Sequence, residues 1–185
     1  MQASTPSSRA IAEAMAWLRR NAFIARTPGQ SSGDAIFVTP RGHEALDQGI
    51  ATVRAVRRVD HSLHPSIAQR VRRQFLLGEH EQAVFVAMKA VEVRVGKLGG
   101  FPDDKVGTAL MQQAFRAEGP LADPDAVSSE QVGTMNLFAG AYAVLRNPAG
   151  HRDVDYDDVI EAAEAVAVAS LLMRILDRVD ERLTA

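Results

Sequence analysis

EAAEAVAVASLLMRILDRVDERL, Glu161 to Leu183, is the stretch that decides the fold class. Its middle, Ala162 to Ala169, consists of small and β-branched apolar residues apart from Glu164. Such side chains imply close packing, either against the chain's own helices or against a partner subunit. Asp157-Asp158 stand just ahead of it, where two acids favour a helix start through its dipole.

Working back from this helix, every segment after residue 60 reads as helical. Pro65 suits the first position of a helix to Leu77, with Ile67, Val71 and Phe75 four apart and Gly78 ending it. Glu79 to Leu98 is a long helix with Val84, Met88, Val91 and Val95 inward, closed by Gly99-Gly100. Phe101 to Asp104 starts another, with Val106, Leu110 and Phe115 towards the core and Gly119-Pro120 at its end. LADPDAV is a loop, and Ser128-x-x-Gln131 has the pattern of a capping box for a helix reaching Leu145 or Arg146. The expectation for 61–185 is an α-helical bundle.

Residues 1–60 read differently. A helix from Ser8 to Asn21 carries Ile11, Met15 and Leu18 on one face. Phe23-Ile24 and Ala35 to Thr39 form a hairpin around Pro28-Gly29 and Ser31-Ser32-Gly33, and Glu44 to Arg58 is helical again. Helix, hairpin, helix resembles the back half of a winged helix, with Trp17 to Ile24 as the end of a recognition helix entering the wing. That resemblance implies DNA contact by Arg19, Arg20 and Arg41. The helices that precede a recognition helix are missing from the pattern, so the segment reads as a partial winged-helix-like arm. DHSLHP, Asp60 to Pro65, marks the boundary; His61 and His64 read as linker histidines, since no matching metal ligands lie nearby.

Charge follows the same division. Residues 1–73 carry 11 Arg and 5 acids, while 74–185 carry 10 Lys or Arg and 18 acids, giving +6 and −8 and the net −2. A basic first part suits a polyanion. With no cysteine, disulfides, thiolate metal sites and cysteine nucleophiles are excluded. No apolar run reaches about 18 residues and the N-terminus lacks a signal-peptide pattern, so a cytoplasmic protein without a membrane span is expected.

The chemistry-bearing stretch is LRNPAGHRDVDYDD, Leu145 to Asp158. On an unbroken helix Arg146 and His151 would point about 140° apart. Pro148 pushes Asn147 out of helical dihedrals and Gly150 permits a tight turn, so the chain can fold back and let the two side chains converge. A guanidinium that forks onto a phosphate, beside a histidine titrating near neutrality, suits phosphodiester cleavage without a metal or other cofactor. On the long helix from Glu79 to Leu98, Lys89 and Glu92 read as a surface ion pair, with a cleft role as the alternative. Arg152 could neutralise phosphate or pair with Asp153 or Asp155, and Tyr156 could stack on a base or pack a helix end.

An all-helical domain with Arg-Asn-x-x-x-His between its last two major helices resembles the HEPN superfamily. HPSIAQRVRRQFLLGEHEQAVFVAMKAVEVRV (64–95), the region 109–124 and the stretch 137–177 resemble its Ymh-type branch. The resemblance implies a homodimeric, metal-independent endoribonuclease acting as an antiphage or toxin-like effector, with both motifs at a shared cleft. In that scheme His151 is the acid/base group, Arg146 the phosphate clamp and Asn147 an orienting residue. Single-stranded RNA would be cut by 2′-hydroxyl attack, leaving DNA intact. Some members of the superfamily bind nucleotides or only assemble, so a non-catalytic nucleic-acid-binding or dimerisation protein is the alternative.

Overall fold

The computed structural model describes residues 6–32, 34–146, 156 and 158–185. These are mainly helical, with eight α-helices and one two-stranded hairpin among them. The chain forms two compact units, Met1–Arg54 and Ala55–Ala185.

The first unit holds α1 (Pro6–Arg20), β1 (Ile24–Arg26), β2 (Ile36–Val38) and α2 (Pro40–Gln48). The strands pair antiparallel with Ala25 opposite Phe37. Pro40, with its fixed φ, opens α2, and Thr39 caps it by accepting from the Gly42 N–H at 3.0 Å. The same hydroxyl donates to the Ala22 carbonyl at 2.6 Å, which ties the cap to the turn before β1. Phe23 is buried there, its ring 5.6 Å from that of Trp17. Of the apolar face expected on α1, Met15 and Leu18 are half-buried and Ile11 is 64% exposed. The single helix expected over Glu44 to Arg58 is in fact two. Gly49, at φ 87°, ends α2, and α3 (Ile50–Ser62) begins one residue later.

The second unit takes in the C-terminal part of α3 and then α4 (Pro65–Leu76), α5 (His80–Leu98), α6 (Gly107–Phe115), α7 (Ser128–Leu145) and α8 (Val159–Thr184). Helix α5 is the hub, packed against α4, α6, α7 and α8. Its Val84, Met88, Val91 and Val95 are buried, as their spacing predicts. In α8, Ala162, Ala163, Ala165, Val166 and Ala169 are buried, so the small-residue run packs within its own unit. Asp158 caps α8 by accepting from the Ile160 N–H at 2.8 Å.

Three local expectations differ. Residues 101–106 are turn and extended chain rather than the start of α6, and Val106 is half exposed at that helix's N-cap. Ser128 is the first helical residue, not a cap. Gln131 donates to the carbonyls of Asp123 and Ala126 instead of closing a capping box. His64 is no linker residue. It caps α4, is 8% exposed, and holds Ser66 on Nδ1 and Asp177 on Nε2, the latter at 2.9 Å. Accepting from the Ser66 N–H at Nδ1 leaves Nε2 to carry the proton and donate to Asp177. Its own N–H donates to Ser170 at 2.8 Å, fixing the α3–α4 corner to α8.

Candidate functional site

Arg146 ends α7 as its C-cap, with its N–H donating to the Tyr142 carbonyl at 3.0 Å. From there the guanidinium lies over the Phe85 ring of α5, 4.2 Å from its centroid, and 6.0 Å from the ring of Tyr142. Planar guanidinium on an aromatic face is a favourable cation–π arrangement. It fixes the side chain without using its hydrogen-bonding edge. The buried Nε has no hydrogen-bond partner among the described residues, and no described carboxylate forms an ion pair with Arg146.

Beneath Arg146 lies a polar network that the sequence only half suggested. Glu92 is 3% exposed, so it is not the surface partner of Lys89 expected from the three-residue spacing. Lys89 donates to its Oε2 at 2.7 Å; the Gly107 N–H, at 2.8 Å, and the Tyr142 hydroxyl both donate to Oε1. Burial pushes the Glu92 carboxyl up, but the hydrogen bonds from Lys89, Tyr142 and Gly107 outweigh it and hold the group below its ordinary value. Burial and the carboxylate beside it push Tyr142 far up, so the phenol remains a donor at neutral pH. Tyr142 and Phe85 are the residues that sequence reasoning missed. Tyr142 lies four before Arg146, hence on the same helical face, and that signal was present.

The remaining candidates fall apart spatially or outside the described residues. Asn147, His151 and Arg152 lie outside them. Tyr156 is half-buried against the helical core, beside a hollow lined by 78–82. Burial and the nearby Glu161 and Glu81 raise its pKa, so its surroundings are negative, the wrong sign for a phosphate backbone. In the first unit Arg19 and Arg20 are exposed on the last turn of α1, and Arg19 lines an open hollow with Arg26. Arg41 does not line it; its guanidinium lies over Phe23 at 5.3 Å. Among the described residues no group of three His, Cys, Asp or Glu is placed to hold a metal ion, and no helix is long and apolar enough to cross a membrane.

A family model described as "Protein of unknown function (Hypoth_ymh)" matches residues 61–176, from the last turn of α3 well into α8. No curated protein and no solved structure matches the chain.

Proposed function

The chain belongs to the Hypoth_ymh family, and we propose that its helical unit is a metal-independent endoribonuclease of the HEPN type. The observation that carries this reading is Arg146. Its guanidinium is stacked on Phe85 and pairs with no described carboxylate, although residues 55–185 carry 19 acids against 15 Lys and Arg. A cation held this way is available to a phosphate.

His151, five residues on, takes the proton from a ribose 2′-hydroxyl. The freed oxygen attacks the adjacent phosphorus while Arg146 stabilises the added negative charge. The bond to the 5′-oxygen breaks, that oxygen receives a proton from the imidazolium, and a 2′,3′-cyclic phosphate remains. Asn147 orients the histidine or the strand. A second copy completes the cleft with its own pair. In support of a dimer, α7 exposes Val132, Leu137 and Val144, and the open space around Gly133 and Gly140 leaves room for close approach. The biological role that fits such an activity is an effector of antiphage defence or a toxin.

The test is single-stranded RNA incubated in EDTA with wild type, His151→Ala and Arg146→Ala. Wild type is expected to release cyclic-phosphate ends and leave DNA uncut. His151→Ala should be inactive and Arg146→Ala slower by about 100-fold or more. If none of the proteins cuts, or wild type and His151→Ala cut alike, the reading fails. Duplex DNA binding that is lost on changing Arg19, Arg20 and Arg41 would then favour a nucleic-acid-binding regulator.

A further inference from the structure

An open groove of about 680 Å³ runs between α4 and α5. Val86, Ala90 and Val93 of α5 give it an aliphatic floor; Arg70 of α4 and Lys89, Arg94 and Lys97 of α5 supply four cations, and no carboxylate lines it. In a unit with more acids than bases, that absence is a departure from the surroundings. Two of the cations are already engaged: Arg94 with Asp177 at 2.6 Å and Lys89 with Glu92. Arg70 and Lys97 have no ion pair or side-chain hydrogen bond among the described residues.

The cations are strung along the groove rather than converging on a point. Lys89 and Lys97 are eight residues apart on α5, about 12 Å along the helix axis. Such spacing suits successive charges on an extended polyanion and not one small anion. One end of the groove is lined by Phe85, whose ring carries the Arg146 guanidinium.

We propose that this groove is the track along which the phosphate backbone of a single RNA strand runs to Arg146, with Arg70 and Lys97 as the cations free to contact it. The strand's direction towards Arg146 rests on the cleavage reading above; binding in the groove does not. A 2′-O-methylated single strand, which cannot be cut by 2′-hydroxyl attack, is therefore the probe. Its affinity for the full chain is read by fluorescence anisotropy across a salt series. Replacing Arg70 and Lys97 together by Gln should weaken binding about 10-fold and reduce the slope of log K against log salt by about 1.4, the value for two lost phosphate contacts. The control pair is Lys105→Gln with Arg116→Gln, outside the groove, which should leave both quantities unchanged.

Failure of wild type to bind, an unchanged slope in the groove variant, or an equal loss in the control pair would each overturn the track. Displacement of the strand by equimolar adenosine triphosphate would overturn it too, in favour of a small-anion pocket. Cleavage of RNA by wild type with any of these outcomes would leave the nuclease reading standing and remove only the groove.

Discussion

Phe23, Ile24 and Val53 are the apolar side chains buried among the described residues of the first unit, against thirty in Ala55–Ala185. The helical unit is held by area removed from water, so its polar groups can be specialised. The small unit has little such area and depends on local devices: the Thr39 cap and its bond to Ala22, the Arg41 and Arg54 guanidinium groups over Phe23 and Trp17, and the close approach of Gly42. A substitution should therefore act through burial in one unit and through backbone geometry in the other.

The largest effect is expected at Glu92. Replacing it by Ala leaves the Tyr142 hydroxyl and the Gly107 N–H without their acceptor and Lys89 without its counter-charge. The two donors left unsatisfied cost about 1–3 kcal/mol each, while Lys89, 45% exposed, can turn to water. Urea unfolding followed by far-UV circular dichroism should show the combined loss of the two. Glu92→Gln keeps an acceptor for the tyrosine and should lose less than half as much. Equal losses for the two variants would mean that the carboxylate's volume, not its donors, holds the site.

Gly42 tests the opposite mechanism. A Cβ there would lie 2.2 Å from the Phe23 carbonyl oxygen and 2.6 Å from Cγ1 of Val38, so backbone must move. Gly42→Ala should destabilise the first unit by about 1–3 kcal/mol, as overpacking does. The chain's single tryptophan, Trp17, is in that unit, so its fluorescence isolates the transition. An unchanged tryptophan midpoint would show that the unit relaxes around a methyl group and is not held by this contact.

The same contrast explains what the sequence could disclose. Helices α4, α5 and α8 were legible because burial imposes a period, visible in Ile67, Val71 and Phe75 and in the Ala-Val run of α8. Asp158 was legible as a cap because capping is local. Glu92 was not, because its donors come from its own helix, from the start of α6 and from a tyrosine 50 residues away. A carboxylate three residues from a lysine reads as solvent-facing unless those partners are known. His64 failed similarly, since Asp177 lies 113 residues on. The break at Gly49 was missed for another reason: helical periodicity continues across it, and only the positive φ interrupts the chain.

The smallest effect is expected at Asp177, which sits on the rim of the helical unit and separates partial exposure from burial within one core. Burial raises its carboxyl, but hydrogen bonds from Arg94 and His64 outweigh that and hold it below the ordinary aspartate value. A depressed folded-state value means that the unfolded chain binds its proton first as pH falls. The stabilisation is thus fully present at neutral pH and is lost as pH drops below about 4, through the lowered value. With the side chain 39% exposed, solvent screening limits the gain to less than about 1 kcal/mol. Asp177→Asn should therefore lie slightly below wild type in stability at pH 7 and converge with it in acid. A gap that persists undiminished at pH 3 would assign the loss to the geometry of the His64 cap instead of to charge, and would make this corner a packing joint like the rest of the helical core.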